Sequence, residues 1–307
     1  MGKEHIFLTG ANGFIGSHLL RRLLDADYRV TTLLRSSSNT TRITELLNHP
    51  GFTQINGECM ETVFIQDTPH VVIHLATCYR KYHTASDIEE MILSNITFPT
   101  QIAQLCATYG VRYFINTGTF FEYDFSDSPL IEQSRQKAFN LYASTKQAFG
   151  NILKYYTEQY FFSSLTLRLF SPYGPGDNEK FIPAVIRSIE HAMEFTLQAP
   201  NQRLSFTYID DIVDAYMLGL ERIALMTKKY DIVNIAPKET HSLIEVIHML
   251  EKISNKKLIL SVKDDSDLDI WHSSFGSNYA ERLLNWHART SLKQGLTLTY
   301  NAYRNAI

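Results

Sequence analysis

Seven residues near the start of the chain, Gly10-Ala11-Asn12-Gly13-Phe14-Ile15-Gly16, follow the apolar run His5–Thr9 and open an amphipathic stretch from Ile15 to Asp25. A glycine-rich turn between a strand and a helix leaves few folds open. Gly10 permits the tight turn, Gly13 lets backbone approach a pyrophosphate, and Gly16 allows the helix to lie close on the strand. The unpaired N–H groups at the start of that helix then face the phosphates. The loop predicts a dinucleotide-binding unit and assigns Gly10, Asn12, Gly13, Phe14, Ile15 and Gly16 to a cofactor.

Downstream the apolar pattern alternates between short β-rich runs and longer amphipathic ones, as βαβ units do. Strands are expected at His5–Thr9, Arg29–Leu33, Thr53–Ile55, Val71–His74, Tyr113–Asn116 and Ser164–Arg168, and helices at Ile15–Asp25, Asp87–Tyr109 and Tyr142–Tyr160. The predicted fold is α/β: a Rossmann-like, doubly wound parallel sheet with a smaller mixed α/β substrate region after it. The division falls at residues 1–172 and 173–307, with about 208–236 expected to pack back on the first sheet. Asp210 or Asp211 is expected to cap a helix there, and the acidic run Asp264–Asp269 reads as a solvated loop.

Composition narrows the function. With 29 Lys plus Arg against 32 Asp plus Glu and no recurrent basic face, no nucleic-acid partner is expected. No apolar run approaches the roughly 18 residues of a spanning helix, and no secretory signal opens the chain, so a soluble cytoplasmic protein is expected. Cys59, Cys78 and Cys106 form neither a disulfide framework nor a Cys-x-x-Cys pair, and the eleven histidines are scattered, so no metal is expected.

Tyr142 and Lys146 lie four residues apart on a predicted helix and share a face. An ammonium beside a phenol is expected to lower its pKa and make Tyr142 a proton donor or acceptor. Alone, the pair reads equally as a half-buried tyrosine with a solvated lysine. Arg35 follows the second strand in Leu34-Arg35-Ser36-Ser37-Ser38, with no carboxylate nearby. An acidic residue there accepts from a ribose 2′-hydroxyl, whereas arginine pairs with a 2′-phosphate, so NADP(H) is favoured; the alternative is an exposed arginine in a polar loop.

The chain resembles the extended short-chain dehydrogenase/reductases, the nucleotide-sugar epimerases, dehydratases and reductases, along nearly all its length. The Gly-x-x-Gly-x-x-Gly spacing is theirs. His74-Leu75-Ala76-Thr77 is similar to the segment lining their cofactor, Asn95 to their helix asparagine, and Asn116-Thr117-Gly118-Thr119 to the segment whose hydroxyl meets the reacting carbonyl. Arg168-Leu169-Phe170-Ser171-Pro172-Tyr173-Gly174-Pro175, Phe181-Ile182-Pro183, Arg203–Asp211, Leu284-Asn285-Trp286 and Leu292–Leu296 come in family order. The resemblance implies catalysis by Thr119, Tyr142 and Lys146, and a cofactor held also by Arg35, Glu58, Cys59, Leu75, Ala76, Thr77, Asn95 and Pro172. It implies substrate contacts from Cys78, His83, Phe120, Phe121, Ser171, Phe181 and Arg203, the last on a pyrophosphate. Thr119 could instead be a turn hydroxyl, Arg203 a surface arginine, and Cys78 and His83 packing or solvated residues. Ser171 departs from the family's asparagine, Pro172 offers no N–H to the nicotinamide carboxamide, and Glu58 stands where aspartate is usual.

Family dehydratases carry two acids directly after the threonine; here those positions are Phe120 and Phe121, either an apolar wall for a deoxygenated sugar face or two core residues. Epimerases of the UDP-galactose type hold NAD with an acidic residue after the second strand, where Arg35 stands. Net reduction of the 4-keto group of a CDP-linked 3,6-dideoxyhexose, for surface-polysaccharide or secondary-metabolite sugars, is the leading expectation. An epimerase with tightly bound NAD(P) is the alternative, and a non-catalytic NADP(H) sensor is a second, although such proteins lose the Tyr/Lys pair that this chain keeps. The family often forms homodimers through its fourth and fifth helices.

Overall fold

The structure, a computed structural model, describes residues 4–57, 60–125, 129–160, 162–177, 180–263 and 273–306. The first half alternates as the periodicity requires: β1 (His5–Thr9), α1 (Phe14–Asp25), β2 (Arg29–Leu34), β3 (Phe52–Asn56), α2 (Glu61–Gln66), β4 (Val71–His74), α3 (Ile88–Ile92), α4 (Phe98–Tyr109), β5 (Tyr113–Thr119), α5 (Leu141–Gln159) and β6 (Ser163–Leu169). Next come β7 (Pro172–Tyr173), α6 (Phe181–Glu190), β8 (Glu194–Gln198), β9 (Arg203–Leu204), β10 (Thr207–Tyr208), α7 (Ile209–Arg222), β11 (Tyr230–Ile235), β12 (His241–Ser242), α8 (Leu243–Ser254), β13 (Ile259–Lys263), α9 (Tyr279–Leu284) and α10 (Leu292–Ala306). Glu58, Cys59 and the acidic run Asp264–Asp269 lie outside the described residues.

Seven parallel strands in the order β11-β6-β5-β4-β1-β2-β3 form the central sheet. The order reverses between β1 and β4, and in such sheets the crevice beyond the carboxyl ends of the strands at that point takes the ligand. Most strands of the first half deliver a predicted site residue to that end: Gly10 after β1, Arg35 after β2, Leu75 after β4, Thr119 closing β5 and Ser171 after β6. Leu19, Leu20, Leu23 and Leu24 of α1 bury one face of the sheet with Ile6, Leu8 and Ile73; Phe7, Val72 and Phe114 point the other way, against Ile102, Cys106, Phe149 and Leu153. This is the strand alternation at work.

The 208–236 stretch lies on the first sheet: α7 packs on α1, and β11 pairs with β6 from Tyr230↔Ser164 to Ile235↔Leu169. The rest of the second half forms small pairs, β10 with β7, β12 with β9 and β13 with β8.

Two expectations need correction, and the Tyr142 helix agrees with its expected range to one residue at each end. The Asp87–Tyr109 helix is interrupted at Leu93–Thr97 by a π-helical turn, just before Pro99, which cannot donate to the ladder. The Tyr142 helix starts at Leu141 behind Asn140, whose Oδ1 accepts from Ala143 N at 2.9 Å. Neither Asp210 nor Asp211 caps α7, where Tyr208 takes the cap position without a side-chain bond. Asp211 instead accepts from Arg289 N (3.0 Å) and Thr290 N (3.1 Å), ordering the segment that enters α10.

Candidate active site

The glycine loop is built as its composition demands. Gly10 has φ +72°, and a Cβ there would lie 2.7 Å from Ala76 N. Thr9 fixes that approach: its Oγ1 accepts from Leu75 N and Ala76 N, each at 3.2 Å, and meets His74 Nδ1 at 2.8 Å. A Cβ on Gly16 would overlap the Gly10 carbonyl oxygen, so Gly16→Ala is expected to force loop and helix apart and lower stability by about 1–3 kcal/mol in urea denaturation. Gly13 takes the N-cap position of α1 with no side-chain cap, leaving the N–H groups of Phe14 and Ile15 to a ligand. Asn12 is engaged elsewhere: its Nδ2 donates to Asn39 O at 3.0 Å and ties the glycine loop to the β2–β3 connection.

In that connection Arg35 is exposed, at a turn closed by Ser38 N to Arg35 O (2.9 Å) and Arg35 N to Ser38 Oγ (3.0 Å). Arg42, which the motif reading passed over, donates through Nε and Nη2 to Gly176 O and links this loop to the segment after β7. The cradle and the uncapped helix end fit the phosphates of a nicotinamide dinucleotide.

Tyr142 and Lys146 are both buried on α5. Tyr142 packs with Cys78, Met91 and Phe121, and its ring meets Tyr79 edge-on at 4.9 Å. Lys146 Nζ lies 6.0 Å from the Tyr142 ring centre and has no hydrogen-bond or ion-pair partner among the described residues. An ammonium so placed can donate to the ribose of a cofactor.

The expected direction of the tyrosine shift is corrected here. Burial, then Tyr79 and Glu122, raise the Tyr142 pKa, with Thr77 opposing; burial pushes Lys146 down to about 8, with Glu122 opposing. Helical spacing makes the two side chains neighbours, but desolvation sets the sign. Tyr142 therefore stands protonated at neutral pH, in the form that gives a proton.

Thr119 closes β5. Its Oγ1 accepts from Phe121 N at 3.4 Å, which leaves its O–H to donate, and its N–H donates to Glu122 Oε1 at 2.8 Å. Of the two adjoining aromatics, Phe120 is core, 4% exposed among Tyr123, Leu130 and Phe170. Phe121 is half-buried and packs against both that cluster and the Tyr142 cluster, joining Thr119's turn to α5.

The remaining predicted residues divide. Cys78 is buried against Tyr142, with its pKa raised by burial. His83 is exposed. Ser171 takes φ +32°, unusual for a residue with a Cβ, and its carbonyl accepts from Thr207 N. Pro172 O accepts from Lys180 Nζ at 3.3 Å, and Phe181 opens α6 edge-on to Phe195. Two more have hydrogen-bond partners within the chain. Asn95 is 1% exposed with its amide bonded to Thr77, Cys78 N, Cys78 O and Thr145, so it holds the β4 loop to α5. Arg203 gives its guanidinium to Thr240 and Glu245 within the second region.

Motif reading left Glu122 and Arg168 without a role, yet they form a buried ion pair, 2.9 Å from Nη2 to Oε2, directly behind Thr119. Their 46-residue separation hides the pairing from any local pattern.

A family model described as the NAD dependent epimerase/dehydratase family matches residues 6–236, from β1 through β11. The chain belongs to this family. Among the relatives of this epimerase/dehydratase chain, CDP-abequose synthase of Salmonella muenchen is 28% identical, over 95% of this chain and 96% of its own. CDP-abequose synthase of Salmonella typhimurium is 31% identical over 71% of each chain. The solved UDP-glucuronic acid 4-epimerase of Bacillus cereus, in complex with UDP-glucuronic acid and NAD, superimposes with a TM-score of 0.90 at 25% identity, covering 99% of this chain and 100% of that one. This epimerase/dehydratase family member is a nicotinamide-dependent enzyme of the extended short-chain dehydrogenase/reductase type that modifies nucleotide sugars. Among the described residues no helix is long and apolar enough to cross a membrane.

Proposed function

We propose that the chain reduces the 4-keto group of a CDP-linked 4-keto-3,6-dideoxyhexose with NADPH. The observation that carries this reading lies immediately after Thr119 in the chain. Phe121 occupies a position where family dehydratases carry an acid, stacked between Phe120 (4.3 Å) and Phe139 (5.3 Å) and touching the Tyr142 cluster. An apolar cluster there borders a deoxygenated sugar without leaving a hydroxyl unpaired, and it offers no acid–base pair for eliminating water. The likeness to CDP-abequose synthases points the same way, and Arg35, with hydroxyls beside it and no carboxylate, suits a 2′-phosphate.

The bound nicotinamide supplies hydride to the carbonyl carbon. Thr119 polarises the carbonyl oxygen through its O–H, Tyr142 protonates that oxygen, and Lys146 holds the nicotinamide ribose while its charge favours the developing phenolate. Burial of Tyr142 keeps the acid protonated until the oxygen becomes basic enough to take the proton. Gly10, Gly13–Gly16, Leu75–Thr77 and Pro172 form the cofactor's walls; Cys78, Phe121, Ser171 and Phe181 border the sugar.

The cation on Lys146 sets an alkaline limit. Its folded pKa of about 8 lies below the unfolded value of about 10.4, so the ammonium is lost first in the folded protein. Turnover is expected to fall above about pH 8. Between the two values the unfolded chain binds more protons, so stability rises with pH across the window in which activity is lost. Parallel pH series of kcat and of urea midpoints check both signs.

The decisive assay is NADPH oxidation with CDP- and dTDP-linked 4-keto-6-deoxy and 3,6-dideoxy hexoses, with products identified by NMR. A second reading, a 4-epimerase, is favoured by the NAD-bound Bacillus cereus neighbour. Retained NAD in the purified protein and interconversion of sugars without net oxidation would establish it instead. We assign the reaction to the cytoplasm, where NADPH is available and Cys78 and Cys106 stay reduced, and to a homodimer; exposed Ile88, Ile92, Leu93 and Tyr155 support pairing through the helices that carry them.

A further inference from the structure

Glu122 touches three elements around the site. Its Oε1 accepts from Thr119 N (2.8 Å), its Oε2 accepts from Arg168 Nε (3.1 Å) and Nη2 (2.9 Å) on β6, and its carbonyl accepts from Gln147 Nε2 (2.6 Å) on α5, beside Lys146. Both side chains of the pair are nearly inaccessible, at 5% and 3% exposure. Gly118 makes room for them: a Cβ there would lie 2.8 Å from both Arg168 Cγ and Glu122 Oε1. The guanidinium stacks 4.7 Å over Tyr123, while its Nη1 is buried without a partner. A buried pair with an unsatisfied donor is a poor source of stability, since apolar residues of similar volume commonly do as well or better. Its retention beside Thr119 requires another explanation.

We propose that Glu122, paired with Arg168, is a positioning residue for the reduction: its carboxylate fixes Thr119 through the backbone N–H, and its carbonyl ties that turn through Gln147 to the stretch of α5 that carries Lys146. This rests on the ketoreductase reading above. Among the described charged groups, Glu122 is the one whose charge supports Lys146. The other titratable groups facing this end of α5 are His74 on β4, Tyr79 after β4, Tyr142 on α5 and Tyr216 on α7. None of them supplies a negative charge at neutral pH: burial drives His74 well below its ordinary range and holds the three tyrosines above theirs. The turn thus does two things at once. It sets the angle from which the Thr119 hydroxyl meets the carbonyl oxygen, and it is tied to the stretch of α5 that carries Lys146, where the Glu122 charge favours the ammonium.

Two double variants separate these effects from fold stability. Glu122→Leu with Arg168→Met removes the charges and the grip on Thr119; Glu122→Gln with Arg168→Met removes the charges but keeps an acceptor for the Thr119 N–H. Both are expected to fold, as read by urea denaturation, and to bind NADPH as read by fluorescence. Lys146 Nζ, titrated by NMR and assigned with Lys146→Met, is expected to lose its proton about one pH unit lower in both. The alkaline limb of kcat should move with it. At pH 6.5 the leucine variant is expected to lose about tenfold to a hundredfold in kcat with KM little changed, and the glutamine variant distinctly less. Folded double variants with the wild-type Lys146 titration and wild-type kcat would overturn the proposal. If the wild type reduces none of the keto sugars, the ketoreductase reading fails, and the Lys146 titration still decides whether Glu122 holds the cation.

Discussion

Tyr142→Phe is expected to lower keto-sugar reduction by about 10²–10⁴-fold while NADPH binding and the unfolding midpoint stay close to wild type. The phenyl ring retains the packing against Cys78, Met91, Phe121 and Tyr79, so the substitution removes little but a hydroxyl. That hydroxyl is the acid assigned to the carbonyl oxygen. Met91 and Phe121, packed beside it, have no proton to give. NADPH oxidation followed by absorbance, with binding measured separately, checks the prediction; wild-type turnover in Tyr142→Phe would remove Tyr142 from the mechanism.

Arg168→Met is expected to cost about 3–5 kcal/mol of stability, the penalty for leaving a buried carboxylate without its cation. Glu122 accepts two hydrogen bonds from the guanidinium and sits where water does not reach it. The guanidinium also covers Tyr123, whose hydroxyl bonds to Asn234 on β11 at 2.8 Å, so the loss spreads into the seventh strand. Adding Glu122→Leu to Arg168→Met should recover most of the stability, because the two changes act on one interaction and do not add. Urea denaturation of the wild type, both single variants and the double variant measures the coupling directly.

Tyr142 was legible in the sequence and the Glu122–Arg168 pair was not, and the difference is one of range. The βα alternation and the glycine loop are local patterns, with strand or helix period and turn chemistry written in neighbouring residues, and the sheet of the first half agrees with them to within a few residues. Tyr142 and Lys146 were visible for the same reason. Spacing cannot report environment: four residues on a helix make neighbours, yet the surrounding rings and the protein interior decide which way each proton equilibrium moves. The internal partners of Asn95 and Arg203 were not legible, because they lie 17 to 50 and 37 to 42 positions away. The interruption of the Asp87–Tyr109 helix belongs with them, since Asn95 sits in its π-helical turn and its amide reaches two other elements. The small strand pairs of the second half, two to five residues each, are too short for a period-2 signal to appear.

The way α7 and β11 return to the first sheet has a bearing on motion. A protein whose halves are joined by one thread can swing open about it, and ligand capture then becomes hinge closure. Here the chain leaves the sheet after β6, returns with α7 and β11, and leaves again; Asp211 then draws the entrance of α10 onto α7. Opening the two halves would have to bend several chain crossings at once and release Asp211 from Arg289 and Thr290. Adjustment to a sugar nucleotide must therefore come from loops rather than from rotation of the halves, and relatives that differ in substrate can differ there without disturbing the frame.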